Sequence, residues 1–157
     1  MNQAMIALDT KKFAGIELRT INEEGKADVD IPKLWGRFFE ENIGAQILNK
    51  SSEKIYALYT NYEGDHTQPY TVIIAYEVDE MPKNLAEGLV FVEVPKASYA
   101  HFPVEGKFPE SCVVKWQEIW NSDLKRAFVA DFEVYDESFD MMSGDSSGLS
   151  ILIGLKA

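Results

Sequence analysis

The stretch WGRFF at residues 35–39 returns as WQEIW at residues 116–120, with its aromatic and apolar positions in register. Apolar runs follow at a nearly equal distance downstream, VIIA at 72–75 and ILIG at 151–154. Each half of the chain therefore reads as strand, amphipathic helix, strand, strand. A repeated unit of this kind predicts one sheet with two related helices, and a ligand site at the seam between them.

Local patterns place the strands and helices. Strands are predicted over residues 13–20, 54–62, 70–78, 89–94, 98–104, 128–135 and 149–155. The first helix is predicted to begin at Asp30 as N-cap, with Pro32 in its first turn, and to reach about Ile47. Its apolar face would carry Ile31, Leu34, Trp35, Phe38, Phe39 and Ile43. A second helix opens at 108–111 and carries Cys112, Trp116, Ile119 and Trp120 at helical spacing. Hairpin-like strand pairs with one helix per half favour an α+β fold with an antiparallel sheet.

Composition and charge limit the classes of function. A chain of 157 residues with 46% hydrophobic and 26% charged residues fits one domain over 1–157, with repeats over about 10–80 and 89–157. The boundary between the repeats is predicted in a linker that contains Pro82, Asn84 and Gly88. The net charge of −11 repels phosphate backbones, so direct binding to nucleic acid is not expected.

Two further features of the sequence bear on where the protein works. No apolar run approaches the roughly 20 residues of a membrane span, so no membrane association is expected. The single cysteine, Cys112, excludes an internal disulfide and agrees with a reducing cytoplasm.

The sequence offers little for metal or nucleophilic chemistry. Its Cys and His residues do not have metal-ligand spacing, and the loop at 144–148 lacks the Lys of a phosphate-binding loop. Cys112 is predicted to be a buried thiol, and His66 is predicted to lie in a polar turn. The sequence therefore predicts no catalytic residue, no metal and no cofactor.

Glu133 is the one acidic residue whose position suggests a ligand. Period-two alternation puts it on the same strand face as Asp131 and Tyr135, opposite Phe132 and Val134. If that face lies under the helices, the carboxylate stands among aromatic rings, where it must be protonated, paired or available to a cationic ligand. Spacing alone leaves open whether Glu133 is exposed or lines a pocket. The aromatic stripes of the helices likewise fit a plain core.

Three segments resemble one family. Residues 94–102 (VPKASYAHF) are similar to the hydrophobic-Pro-x-(Ala/Gly)-x-Tyr-Ala-x-Phe strand of the GyrI-like, or AraC-type, effector-binding domains. Residues 131–135 (DFEVY) resemble that family's Phe-Glu-x-Tyr strand. Residues 70–78 resemble its Tyr-x-Val-x-(Ile/Leu)-Gly-x-Glu-Val strand, with Ala75 where Gly is usual. The likeness runs from about Phe13 to Leu155.

The resemblance implies duplicated β-α-β-β units in an antiparallel sheet, with two main helices on one face and a central cleft. In the multidrug-sensing members, an acidic residue of the Phe-Glu-x-Tyr strand receives the positive charge of lipophilic cations, and here that position is Glu133. Aromatic side chains hold the flat body of such ligands. The candidate wall residues are Trp35, Phe39, Tyr59, Trp116, Trp120 and Tyr135.

The sequence departs from the family pattern at two places. Family transcription factors place a helix-turn-helix domain before this module, and the sequence has no room for one, so it resembles the stand-alone members encoded on integron cassettes. Leu149 and Ile151 are aliphatic where drug-sensing relatives can present an acid and a tyrosine.

The leading hypothesis is a module that senses or sequesters amphipathic, cationic aromatic compounds. One alternative is an interaction protein of the DNA gyrase inhibitor type. The other is a hydrolase that acts on reactive electrophiles through the cleft Glu. Exposed edge strands permit a homodimer, although the sequence does not require one.

Overall fold

The computed structural model describes residues 4–81, 85–140 and 142–156. The strands are β1 (Ala4–Leu8), β2 (Lys11–Thr20), β3 (Lys50–Thr60), β4 (Tyr70–Val78), β5 (Val90–Val94), β6 (Ala97–Pro103), β7 (Arg126–Tyr135) and β8 (Leu149–Leu155). The helices are α1 (Lys26–Glu40), α2 (Ile43–Gln46) and α3 (Glu110–Trp120), and a 3-10 turn, Glu23–Gly25, precedes α1.

In these described ranges the strands form one eight-stranded sheet in the order β1-β6-β8-β7-β3-β4-β2-β5, and the pairings are antiparallel. One unit is β2-α1-β3-β4 and the other is β6-α3-β7-β8. The two units meet where β3 pairs with β7, so the strand order is symmetric about that pair. The predicted α+β fold of duplicated β-α-β-β units is confirmed.

The two short outer strands link the repeats. β1 precedes the first unit in sequence but pairs with β6 of the second, and β5 precedes the second unit but pairs with β2 of the first. Each repeat thus completes the sheet edge of the other. β1 was not predicted, because its five consecutive apolar residues (AMIAL) show no period-two alternation, and so short an apolar run does not by itself indicate a strand.

Both faces of the sheet are buried, but only one carries α1 and α3. On this helix face, Leu34 and Phe38 of α1 and Ile119 of α3 pack on Ile74 and Ile153 of the strands. On the opposite face of the sheet, aromatic side chains from different strands pack against one another. Phe13 of β2 and Phe132 of β7 have ring centroids 5.5 Å apart although β3 and β4 lie between their strands, so the sheet curls strongly.

The first helix differs from its prediction at both ends. It begins at Lys26, after Gly25 in the left-handed region (φ 72°), which places Pro32 inside the helix and not in its first turn. Asp30 does not cap it, because its Oδ2 accepts hydrogen bonds from Lys26 Nζ (2.6 Å) and Thr20 Oγ1 (2.8 Å). The helix ends at Glu40, and Asn42 at φ 52° separates it from α2.

The predicted boundary between the repeats is only partly visible. Pro82 and Asn84 lie outside the described residues, whereas Gly88 adopts φ 88° just before β5. The extents of the domain and of the two repeats stay predictions.

Candidate ligand-binding site

A cavity of about 410 Å³ lies between α1, α3 and the helix face of the sheet. This volume falls within the range of about 300–1,000 Å³ that small-molecule sites occupy. The cavity is lined by these residues from the candidate set: Trp35 of α1, Tyr59 of β3, Trp116 and Trp120 of α3, and Glu133 and Tyr135 of β7.

Strand alternation and register carry Glu133 into this cavity. Glu133 is paired with Ala57 of β3 on one side and Ile151 of β8 on the other, and both neighbours belong to the core under the helices. Only 5% of Glu133 is exposed. The choice that spacing left open is thus resolved in favour of the helix face.

Glu133 is surrounded by neutral hydrogen-bond donors. Its Oε2 accepts from the Trp116 Nε1–H (2.7 Å), from the Tyr59 hydroxyl (2.9 Å) and, more weakly, from the Cys112 thiol (3.6 Å). Its Oε1 accepts from the Tyr135 hydroxyl at 2.5 Å. Because both oxygens act as acceptors, the arrangement fits an ionised carboxylate. Among the described residues, no Lys, Arg or His forms a salt bridge with it.

The donors around Glu133 are held in their protonated forms. Burial, and then the negative charge of Glu133, raises the pKa of the Tyr59 and Tyr135 hydroxyls well above the usual value for tyrosine. The same two causes raise the pKa of the Cys112 thiol. Cys112 is therefore a buried donor, as predicted from its helix face, and its environment disfavours the thiolate that nucleophilic chemistry requires.

Aromatic rings form the walls at several angles. Trp116 meets Tyr59 edge to face at 5.2 Å between ring centroids, and Trp35 meets Tyr135 in the same way at 5.1 Å. Trp120 lies next to Trp116 at 6.4 Å. The chain's three Trp residues all line the cavity, so each can contribute a flat apolar surface to an aromatic ligand.

Phe39 is the one candidate residue that the structure places outside this cavity. It is 53% exposed and stacks on Trp35 at 6.0 Å, where it borders a separate depression with Ile55 and Phe139. The buried side of α1 is centred on Leu34 and Phe38, and Phe39 follows Phe38 by about 100° around the helix, which turns it away from the cavity.

Sequence reasoning missed several lining residues. Asn22 and His66 line the cavity from loops, and Tyr62 and Tyr70 line it from the ends of predicted strands, where strand alternation alone does not indicate a ligand site. His66 does lie in a turn, as predicted, and its ring stacks on Trp120 at 5.3 Å with an interplanar angle of 2°. The largest omission is Arg126, which lies before the predicted start of its strand.

An irregularity in β7 explains the position of Arg126. Regular alternation would point residues 126 and 131 to opposite faces. The register slips between them, so Arg126 opposes Leu155 while Asp131 opposes Ile153, and Phe128 within the slip adopts φ 54°. Arg126 and Asp131 consequently share the helix face, where Arg126 Nη2 donates to Asp131 Oδ2 at 2.8 Å. This pair is buried, with 6% and 0% of the two side chains exposed.

Two other classes of site can be addressed for the described part of the chain. It contains no group of three or more His, Cys, Asp and Glu side chains arranged to hold a metal ion. None of the helices described there has the length and apolar character needed to cross a membrane.

Comparison with solved structures finds proteins with the same fold. An integron cassette protein from the mobile metagenome of Vibrio cholerae is 28% identical, with a TM-score of 0.75 over 98% of this chain and 95% of that chain. The structure of SAV2435 bound to tetraphenylphosphonium is 18% identical, with a TM-score of 0.80 over 100% of this chain and 95% of that chain. The C-terminal domain of EcmrR is 13% identical, with a TM-score of 0.60 over 99% of this chain and 97% of that chain. The last two likenesses concern the fold alone.

Sequence comparison identifies the family. No curated protein matches the chain significantly. The profile of the integron-associated effector binding proteins, named Cass2, matches residues 5–153. The resemblance to effector-binding domains of the GyrI-like fold is thereby confirmed, and the chain belongs to the Cass2 family of integron-associated effector binding proteins.

Proposed function

We propose that this chain binds amphipathic aromatic compounds that carry a positive charge, in the cavity between α1 and α3. The observation that carries the proposal is the environment of Glu133. It is a buried carboxylate that forms no salt bridge with a described residue, and it stands at the wall of an aromatic cavity. Trp35, Tyr59, Trp116, Trp120 and Tyr135 would hold the aromatic body of the ligand.

Neutral donors stabilise the charge of Glu133 without cancelling it. Tyr, Trp and Cys donors reduce the cost of burying the carboxylate, but its negative field still extends into the cavity. A delocalised cation whose centre comes to about 5 Å would gain roughly 3 kcal/mol at an effective dielectric constant of about 20. The faces of the Trp rings add a cation–π attraction of about 0.5–2 kcal/mol.

The relatives support the proposed class of ligand. The family is defined by effector binding, and one structure with the same fold, SAV2435, holds the lipophilic cation tetraphenylphosphonium. We extend that class of ligand to this chain on the basis of Glu133 and the rings around it. We also propose that the chain acts as a binding module and not as an enzyme.

A pair of ligands with nearly the same shape tests the proposal. 10-Methylacridinium carries a fixed positive charge, whereas acridine is neutral at mildly alkaline pH. Since all three Trp residues line the cavity, quenching of intrinsic fluorescence reports binding directly. We expect the cation to bind about 10- to 100-fold more tightly than acridine, as the charge interaction predicts.

The variant Glu133→Gln should remove most of this preference, because it keeps the shape of the side chain and removes its charge. Glu137→Gln, which changes an exposed acid just after β7, is the matched control and should leave the preference intact. Equal affinities of wild type for the two ligands, or an unchanged preference in Glu133→Gln, would contradict the proposal.

The remaining sequence-based expectations are separate from this proposal. Cytoplasmic location, a homodimer, a protein partner such as gyrase and the absence of direct nucleic-acid binding stay predictions. Hydrolysis through Glu133 also stays a prediction; it requires turnover of an electrophile that is lost in Glu133→Gln.

A further inference from the structure

Arg126 is a buried cation at the cavity wall that uses only part of its hydrogen-bonding capacity. It lines the cavity, is 6% exposed, and donates to Asp131 through Nη2. One face of its guanidinium is covered by Phe128, with Cζ 4.3 Å from the ring centroid. Its Nε and Nη1 atoms are buried and have no hydrogen-bond partner among the described residues. A guanidinium has five N–H donors, so several remain available.

Asp131, by contrast, is satisfied by the protein around it. Its Oδ1 accepts from the Gly154 N–H at 2.8 Å, and its Oδ2 accepts from Arg126 and from the Tyr62 hydroxyl. Arg126 lines the cavity, whereas Asp131 is not among its lining residues. Buried polar groups in proteins are almost always hydrogen-bonded. Because Arg126 lines the cavity, a small rotation of its guanidinium would let an acceptor on a bound ligand reach Nε or Nη1.

We propose that Arg126 forms a second subsite in the same cavity, which accepts an anionic group, so that the preferred ligands are aromatic compounds with a cationic part near Glu133 and a carboxylate or similar anion near Arg126. This inference rests on the proposed function for the cationic part. The anion subsite itself rests only on Arg126 and its surroundings.

The two charged residues do not conflict. Arg126 is paired with the carboxylate of Asp131 at 2.8 Å, so the opposite charge of Asp131 reduces the repulsion that a cation near Glu133 would meet. At hydrogen-bond distance the N–H donors dominate, and charge-assisted hydrogen bonds from a guanidinium to a carboxylate are among the strongest that proteins make. Burial and then the charge of Arg126 lower the pKa of His66, so His66 should respond to an anion bound at Arg126.

Two derivatives of the test cation distinguish the subsites. 10-Methylacridinium-9-carboxylate and 10-methylacridinium-9-carboxamide have nearly the same shape, and their substituents lie across the ring from the charged nitrogen. The carboxylate should bind about tenfold more tightly than the carboxamide, although its net charge is lower. Equal affinities, or tighter binding of the carboxamide, would overturn the proposal and would show that Nε and Nη1 are simply hydrated.

Two variants assign the preference to Arg126. Asp131→Asn keeps an oxygen for the Gly154 N–H and removes the compensating charge, so the preference for the carboxylate should increase. Arg126→Met combined with Asp131→Asn replaces the ion pair by neutral side chains, an exchange that proteins often tolerate, and the preference should disappear. A preference that survives in the double variant would place the anion elsewhere and overturn the proposal.

Benzoate tests the subsite without any cation. The chain has only two His residues, so the imidazole resonances of His66 can be followed by NMR, with His101 as internal control. Saturable shifts of His66 in wild type, absent in the double variant, are expected. If 10-methylacridinium fails to bind but benzoate shifts His66, the proposed function fails and the anion subsite stands. If 10-methylacridinium binds, but benzoate does not shift His66 and the 9-carboxylate binds no more tightly than the 9-carboxamide, the proposed function stands and the anion subsite fails.

Discussion

Removal of the Tyr135 hydroxyl tests whether Glu133 is charged in the absence of added ligand. Tyr135→Phe deletes the only donor to Oε1 among the described residues, at 2.5 Å, and keeps the ring contacts with Trp35 and Phe139. A hydrogen bond to a charged group contributes about 1.5–3 kcal/mol to stability, against about 0.5–1.5 kcal/mol for a neutral pair. The free energy of unfolding should therefore fall by about 2 kcal/mol in wild type and by about 1 kcal/mol in the Glu133→Gln background.

Urea unfolding of the four proteins in this cycle measures the difference, provided that the slope of unfolding free energy against urea concentration stays constant. Tyr76→Phe is a suitable control, because Tyr76 is buried and keeps its ring contact with Phe38 when the hydroxyl is removed. Its effect should stay below about 1 kcal/mol. The same cost of Tyr135→Phe in both backgrounds would refute the assignment of an ionised Glu133.

Two further predictions concern the sheet and the cavity rim. Gly15→Ala should destabilise the protein by about 3 kcal/mol or more, because its Cβ would lie 2.0 Å from the Ile74 carbonyl oxygen of the neighbouring strand. The control is Gly36→Ala in α1, whose Cβ would meet nothing within 4 Å, and which should stabilise the protein by about 0.5–1 kcal/mol. A loss of less than about 1 kcal/mol for Gly15→Ala in denaturant unfolding would contradict the packing described. In NMR, His66 should titrate below its usual pKa of 6.5. The unfolded chain then binds the proton more readily than the folded protein, so His66 should lower the stability of the folded protein as the pH falls below about 6.5. A titration midpoint at or above 6.5 would argue against the burial of His66 beside Trp120 and Arg126.

The repeat and the strands were predictable because their signals are local. β4 and β8 were predicted with the bounds they have, since both are nearly continuous apolar runs between turn residues. The bounds of α1 were not predictable from Asp30 and Pro32, because the carboxylate of Asp30 pairs with Lys26 and Thr20 instead of capping the helix. Whether Asp30 caps the helix or pairs with other side chains depends on tertiary contacts, which the spacing of residues in the sequence does not reveal.

In the candidate site, too, the residues marked by local sequence patterns were predicted, and those placed by tertiary structure were not. Alternation placed Glu133 and Tyr135 on one face, and helical spacing brought Trp116 and Trp120 toward them. Arg126 was missed because the irregularity around Phe128 reverses the alternation that sequence reasoning assumes. Phe39 was included because helical spacing alone does not distinguish the centre of an apolar stripe from its margin.

The crowded coordination of Glu133 has a consequence for selectivity. A carboxylate offers about four lone-pair positions, and three donors already converge on Oε2 while a fourth occupies Oε1. A primary amine or guanidine depends on directional contacts that these oxygens have little capacity left to provide. Quaternary ammonium and phosphonium ions form no such hydrogen bonds and are attracted only by the electrostatic potential of the carboxylate. We therefore expect the donors that stabilise the buried carboxylate of Glu133 to favour cationic ligands that lack N–H donors.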